Sequence, residues 1–272
     1  MTAEWTEGDL VANGAKLHYH RLGKRGATPL VLQHGFSDNG LCWLTLAGDR
    51  KDEYDIVLPD ARGHGQSARF APGESVDQTA DLAGLIRALD LDRPIVAGHS
   101  MGGTIAGQLG AKHPELTRAL ILEDPGWFLL QPGAAERPRL SQENPLAEWI
   151  RSLEGLSVKE LVERQRVEHP TWSDLVLHHW CEGKTQLDAN FFKAGDLGWM
   201  DWREVAPKIA CPTLLITATP DKGGIITSEM AQMATEMNEQ ISIAHIPGTG
   251  HHVRFENYPA YRDAVKTFLA QI

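Results

Sequence analysis

The sequence has few cysteines, a deficit of positive charge and no long apolar run. Its 272 residues contain three widely separated cysteines, Cys42, Cys181 and Cys211, which favour free buried thiols in a reducing compartment. The formal net charge of −10 argues against nucleic acid or an anionic membrane surface as a partner. No segment approaches the roughly 18 consecutive apolar residues of a membrane span. The first nine residues are acidic and predict no signal peptide. We therefore expect a cytoplasmic protein.

Motifs for metals and for common cofactors are also missing. The sequence contains no H-E-x-x-H and no paired C-x-x-C, so it predicts no metal site. The glycines of residues 98–103 do not have the G-x-G-x-x-G spacing of a dinucleotide site, and no Walker lysine follows them. We expect chemistry that needs no cofactor, performed by side chains on a small-molecule substrate.

The apolar pattern predicts an α/β protein with one helical insertion. Short apolar runs alternate with helical segments, as in βαβ units of a mostly parallel sheet. Serines predict three helix starts: Ser75 with Gln78 and Ser157 with Glu160 as capping boxes, and Ser173 as a cap for residues 175–180. From about residue 126 to 200 the strand signals stop, and six of the eight tryptophans fall between Trp127 and Trp202. We interpret residues 126–200 as a helical lid over a pocket, with Trp127 and Phe128 contacting substrate. Residues 1–125 and 201–272 then form the core domain.

A candidate nucleophile lies at the centre of this pattern. Gly98-His99-Ser100-Met101-Gly102 follows the apolar run 95–97 and precedes a helical segment, which is the strand–turn–helix context of a G-x-S-x-G nucleophile elbow. Such a turn strains the serine backbone, and glycine two places away on each side removes the bulk that would clash. A serine needs a base that is itself oriented by an acid. Asp221 and His251 follow Ser100 in the expected chain order, each after a predicted strand.

Several short motifs, spread over nearly the whole chain, resemble those of the α/β-hydrolase superfamily in its lid-bearing serine hydrolase branch. They are H-G-F at 34–36, D-A-R-G-H-G-Q-S at 60–67, G-H-S-M-G-G at 98–103, P-T-L-L-I at 212–216 and G-H at 250–251. The resemblance implies a mostly parallel eight-stranded sheet flanked by helices, with a helical lid inserted after the sixth strand.

The same resemblance implies roles for individual residues. The backbone N–H groups of Phe36 and Met101 would form the oxyanion hole. His251 would be the base because it directly follows a glycine, which leaves the neighbouring His252 as a candidate substrate contact. Some relatives take the acid from the strand after the elbow helix, where this chain has Asp124. We favour Asp221 over Asp124, with Glu123 as a third candidate.

Together these features predict an esterase- or lactonase-like serine hydrolase that cleaves a small, largely apolar ester or lactone through an acyl-enzyme. Hydrolysis of a C–C bond in a vinylogous diketone is an alternative for the same residues, because lid-bearing relatives also perform it. A receptor-like protein that binds a ligand on this fold is the alternative of another class. The sequence leaves open whether the protein is a monomer or a homodimer.

Overall fold

A computed structural model describes residues 5–127 and 145–272. Eight strands form one sheet in the order β1-β2-β4-β3-β5-β6-β7-β8, in which β1, β2 and β4 pair antiparallel and the other neighbours pair parallel. This confirms the predicted eight-stranded, mostly parallel sheet. The strands are β1 Thr6–Ala12, β2 Ala15–Gly23, β3 Pro29–Gln33, β4 Asp55–Pro59, β5 Ile95–His99, β6 Ala119–Glu123, β7 Thr213–Thr217 and β8 Ile241–His245.

Helices cover both faces of the sheet. They are α1 Leu44–Arg50, α2 Gln78–Ala88, α3 Met101–Lys112, α4 Pro145–Arg151, α5 Val158–Glu168, α6 Asp174–Thr185, α7 Trp202–Val205, α8 Ser228–Met237, α9 Val253–Glu256 and α10 Tyr258–Leu269. None of these helices is long and apolar enough to cross a membrane, as far as the described residues go.

Alternation along the central strands divides the core into two layers. Val31, Val57 and Val96 pack on the face covered by α2, α3 and α8. Their neighbours in the strands, such as Leu30 and Leu32, pack on the opposite face against α1 and α10. Successive side chains of a strand point to opposite faces, and a parallel sheet covered on both sides therefore needs continuous apolar runs. The short apolar runs in the sequence therefore reflect strands that are buried on both faces.

Between β6 and β7 the chain leaves the sheet and forms a helical insertion, a name used here for residues 145–200. Helices α5 and α6 start at the predicted caps: the Ser157 hydroxyl accepts from the Glu160 N–H in a capping box, and the Ser173 hydroxyl accepts from the Val176 N–H. The insertion has its own apolar cluster, which includes Trp172 and is continued by residues of the sheet domain. The division of the chain at residues 126 and 200 stays a prediction.

Candidate active site

The turn between β5 and α3 strains Ser100. This residue has φ 53° and ψ −116°, outside the regions that L-residues favour. A Cβ atom on Gly98 would lie 2.2 Å from the Gly102 carbonyl oxygen, and one on Gly102 would lie 2.3 Å from the Gln33 carbonyl oxygen. Both glycines are therefore required sterically, as the elbow motif predicts. The Ser100 N–H is anchored to the Glu123 carbonyl at 3.0 Å, which ties the turn to β6.

An aspartate directly after β6 orients the candidate base. The Nδ1 atom of His251, in the loop after β8, donates a hydrogen bond of 2.7 Å to Asp124 Oδ2. The Asp124 carboxylate is fully buried and also accepts hydrogen bonds from the backbone N–H groups of Ile225 and Ile226, at 2.9 and 3.0 Å. Asp124 itself has a positive φ of 37°. The carboxylate is thus fixed by backbone donors, and it leaves the Nε2 atom of His251 as the nitrogen able to accept a proton.

Our choice of Asp221 as the partner of His251 is wrong in geometric terms. Asp221 lies in a short 3-10 helix, Pro220–Lys222, where its side chain is exposed to solvent. The strand β7 ends at Thr217, and the turn after it instead presents its backbone amides, at Ile225 and Ile226, to Asp124. Glu123 is excluded as well, because its carboxylate is engaged by the backbone N–H and the guanidinium of Arg254 at 3.0 and 2.9 Å.

The signal for Asp124 was present in the sequence. Asp124 follows β6 immediately, and β6 neighbours both β5 and β7 in the sheet. Aspartates after β6 and after β7 both reach the carboxyl edge of a parallel sheet, which is where ligand sites form. The sequence could not show which of the two turns toward His251.

The two candidate oxyanion donors come from different chain segments, and both residues line the cavity together with Ser100. Met101 is the first residue of α3, and Phe36 lies in the loop after β3. Neither backbone N–H donates to another group among the described residues. A helix N-terminus favours negative charge, so the Met101 N–H is suited to a developing oxyanion. The role of the two groups stays a prediction.

A cavity of about 670 Å³ opens at Ser100 and His251. Its described wall is mainly apolar, and 11 of the 25 lining residues come from the helical insertion. The Phe and Trp rings that line it are Phe36, Trp149, Trp172, Trp180, Phe191 and Trp199. His252 also lines it, and its role as a substrate contact stays a prediction. A cavity of this size with an apolar wall is typical of a site for a small organic molecule.

A further predicted substrate contact, Trp127, does not line the cavity. Trp127 is buried and stacks on Trp202, with ring centroids 4.8 Å apart and planes at 8°. It belongs to the core under α3 and α7, so our prediction for it is wrong. Phe128 lies outside the described residues.

The charged side chains on the described wall are engaged by neighbours. Lys184 pairs with Asp38 at 2.7 Å, and both side chains are almost completely buried. Lys222 donates to the Gly248 carbonyl, Glu256 accepts from the Gly250 N–H, and Glu168 accepts from Gln165. Burial would raise the pKa of Asp38, but the positive charges of Lys184 and Arg254 and the hydrogen bond from Lys184 together outweigh burial and lower that pKa to about 2. Asp38 is therefore ionised at neutral pH.

The sequence analysis missed this Lys184–Asp38 pair and the contact between Trp180 and His252 described below. A lysine four residues after a tryptophan in a helical stretch was the available signal. It does not predict which residues the side chains meet, because the partners lie about 70 to 150 positions away in the chain.

Three imidazoles at the site, those of His99, His251 and His252, bring ring nitrogens within 4.8 Å of one another. One nitrogen of each ring is already engaged. The His251 Nδ1 atom bonds to Asp124, the His99 Nε2 atom donates to the His251 carbonyl, and the His252 Nε2 atom accepts from Trp180. These bonds suit the positioning of a base better than the binding of a metal. That the protein needs no metal or cofactor stays a prediction.

The geometry of a strained serine, a histidine–aspartate pair and an aromatic cavity agrees with comparison to known proteins. The model of the alpha/beta hydrolase family matches residues 30–264. The chain therefore belongs to the alpha/beta hydrolase family, and the expectation of an enzyme, a hydrolase, is confirmed. This outcome disfavours the receptor hypothesis.

Individual relatives match the chain from end to end. It is 27% identical over 269 residues to the N-formylmaleamate deformylase of Pseudomonas putida, covering 96% of each protein. It is 28% identical to the (E)-2-((N-methylformamido)methylene)succinate hydrolase of Acinetobacter baylyi, covering 95% of this chain and 96% of that one. The crystal structure of an E-2-(acetamidomethylene)succinate hydrolase superposes with a TM-score of 0.78 at 20% identity, covering 98% of this chain and 100% of that one.

Proposed function

We propose that the protein is a serine hydrolase that cleaves a small, uncharged and largely apolar carboxylic ester or lactone. The observation that carries the proposal is the His251–Asp124 hydrogen bond of 2.7 Å beside the strained Ser100, at the mouth of an aromatic cavity. A serine is a weak nucleophile without such a base and acid.

In the proposed mechanism, the Nε2 atom of His251 takes the proton of the Ser100 hydroxyl as its oxygen attacks the carbonyl carbon. Asp124 holds the Nδ1–H of His251 and stabilises the imidazolium that forms. The carbonyl oxygen becomes an oxyanion that accepts hydrogen bonds from the Phe36 and Met101 N–H groups. His251 then protonates the leaving alcohol, and an acyl-enzyme remains on Ser100. A water molecule, deprotonated by His251, releases the acid in the reverse sequence of steps.

The wall of the cavity supports an uncharged substrate. The described wall is mainly apolar, and Lys184, its most buried cation, is already paired with Asp38. A carboxylate placed beside this ion pair would lose its hydration and meet a cation whose charge is already balanced by Asp38, which is unfavourable. An ester or lactone with apolar groups on both sides of the carbonyl fits without this penalty.

A second candidate is the hydrolysis of an N-acyl or N-formyl group from an unsaturated carboxylic acid. It is favoured by the end-to-end match to two relatives whose names specify succinate and maleamate substrates. The same Ser100, His251 and Asp124 would act on such an amide. We rank it second because those substrates carry carboxylates, and the most buried lysine of the described wall is already paired with Asp38. A C–C bond hydrolase remains a further alternative with the same residues.

The proposal is tested by a substrate screen with wild type and Ser100→Ala. The substrates are p-nitrophenyl esters of increasing acyl length, simple lactones, N-formylmaleamate and a vinylogous diketone. We expect turnover of an ester or lactone, and a loss in kcat on the order of 10⁴-fold or more in Ser100→Ala, because no other group would supply the nucleophile.

Ser242→Ala is the matched control, since Ser242 is an exposed residue of the edge strand β8. It should retain wild-type turnover. Ester hydrolysis that survives unchanged in Ser100→Ala would disprove the mechanism. Turnover of N-formylmaleamate in preference to every ester and lactone would replace the first substrate class by the second.

A further inference from the structure

Helix α6 of the helical insertion faces two loops of the candidate active site at once. Trp180 and Lys184 are four residues apart and so lie on one face of the helix. The Lys184 ammonium also sits over the Trp180 ring, 3.8 Å from its centroid. Both side chains line the cavity. The two side chains form a contacting pair, and each also contacts one of the two loops.

Lys184 contacts the loop that contains Phe36. Its ammonium donates to Asp38 Oδ1 at 2.7 Å and to the Ser37 carbonyl at 3.3 Å. Ser37 has a positive φ of 59°, so the backbone beside the candidate oxyanion donor is in a conformation that needs support. The helix touches this loop directly as well: a Cβ on Gly183 would lie 2.8 Å from the Ser37 carbonyl oxygen.

Trp180 contacts the loop that contains His251. The indole Nε1–H donates to His252 Nε2 at 3.0 Å. Burial lowers the pKa of His252 well below the usual histidine value, so the ring is neutral and Nε2 can accept this bond. The Trp172 ring also stacks on the His252 ring, with centroids 5.2 Å apart and planes at 17°. His252 directly follows the candidate base, and its position restrains that of His251.

We propose that Trp180 and Lys184 are positioning residues for catalysis, and that one face of α6 fixes the oxyanion loop and the base loop relative to Ser100. The helical insertion is then part of the catalytic machinery and does more than cover the cavity. The inference rests on the proposed serine hydrolase mechanism. Its physical basis is the sensitivity of catalysis to geometry, since a misplacement of about 1 Å can reduce the rate about 100-fold.

The obvious variant, Lys184→Met alone, is a poor test. It leaves Asp38 buried with an unpaired charge, which strongly destabilises a protein. Lys184→Met combined with Asp38→Asn removes both charges and still removes the bond to the Ser37 carbonyl. Trp180→Phe keeps an aromatic ring under Lys184 and removes the indole N–H donor together with part of the ring volume. Lys159→Met is the control, because Lys159 is an exposed residue of α5 in the same insertion.

Three measurements separate positioning from stability. The first is the rate at which a fluorophosphonate labels Ser100, and the second is kcat and KM with p-nitrophenyl butyrate. The third is the inhibition constant of a trifluoromethyl ketone, which forms a tetrahedral adduct that needs the oxyanion donors. Melting temperatures show which variants remain folded.

We expect Trp180→Phe and the double variant to stay folded, while the labelling rate and kcat fall about 10- to 100-fold and KM changes by less than about threefold. The ketone should bind more weakly by a similar factor, and Lys159→Met should match wild type. Wild-type labelling and kcat in both folded variants would overturn the positioning role while leaving the mechanism intact. If wild type itself shows no labelling at Ser100, the proposed function and this inference both fail.

Discussion

Among single residues, Asp124 illustrates how a backbone prepares a side chain for chemistry. Its carboxylate accepts hydrogen bonds from two backbone N–H groups, those of Ile225 and Ile226, as well as from the imidazole of His251. Hydrogen bonds to a charged acceptor are stronger than those between neutral groups, and here they hold the carboxylate in a fixed orientation. The acid is therefore placed by a turn that carries no catalytic side chain of its own.

Asp124→Asn should lower kcat by about 10⁴-fold. An asparagine fits the same space, but its amide can donate to His251 Nδ1, which favours the tautomer that cannot accept the serine proton. Steady-state kinetics on the best ester from the substrate screen measure the loss. Asp221→Asn is the matched control and should keep wild-type kcat, since Asp221 is exposed on the 3-10 helix Pro220–Lys222. The assignment fails if the larger loss falls on Asp221→Asn.

At the scale of elements, the β5–turn–α3 unit combines strain with tight backbone contacts. The elbow places Gly102 against the backbone of Gln33 and His34 in the neighbouring chain segment. A flexible side chain could move away from an added methyl group, whereas backbone carbonyls at this distance cannot. Glycine here is a packing requirement between two elements.

Gly102→Ala should lower the free energy of unfolding by about 3 kcal/mol, because the added Cβ overlaps backbone atoms that cannot yield. Gly48→Ala is the matched control in another helix, α1. A Cβ on Gly48 meets no atom within 4 Å. It should raise the free energy of unfolding by about 0.5–1 kcal/mol through helix propensity. Urea unfolding of both variants measures the difference, and equal effects of the two substitutions would contradict the steric explanation.

The elements also show where local patterns predict well and where they do not. The capping box of α5 and the cap of α6 could be predicted because a cap depends only on residues within one turn. The start of α2 was misread: we assigned its cap to Ser75, whereas the Asp77 side chain caps the Thr79 and Ala80 N–H groups. Several capping residues in succession compete, and the packing of the helix decides among them.

At the scale of the whole molecule, buried histidines couple folding to pH. Burial lowers the pKa values of His34, His64, His99 and His252. In the unfolded chain these histidines bind protons near pH 6.5, whereas in the folded protein they bind protons only at lower pH. Stability is therefore complete above about pH 6.5 and decreases as the pH falls below it, by about 1.4 kcal/mol per pH unit for each such group.

His64→Gln should reduce this dependence by about one proton. His64 is completely buried, and its ring contacts those of His34 and Phe191. Urea unfolding between pH 7 and 5 measures the slope of the free energy of unfolding against pH, independently of the change in absolute stability. His178→Gln, at an exposed position of α6, should leave the slope unchanged. An identical slope in wild type and His64→Gln would rule out the contribution of His64.

The helical insertion marks the limit of prediction at this scale. The density of tryptophan correctly indicated an aromatic wall, and Trp149, Trp172 and Trp180 do line the cavity. Trp127 packs on Trp202 in the core instead. A count of aromatic residues cannot distinguish a ring that faces a cavity from one that faces a neighbouring helix. That distinction depends on the path of the chain between the elements.

The sequence by itself determined the family, the parallel sheet and the candidates Ser100 and His251. These follow from features that are local in the chain: buried strands require continuous apolar runs, and the elbow requires glycine on both sides of a serine. Only the tertiary structure decided between Asp124 and Asp221 and brought Lys184 and Trp180 to the two loops. Those choices depend on which turns and helix faces meet in space, and residues more than 70 positions apart leave no local pattern for such a contact.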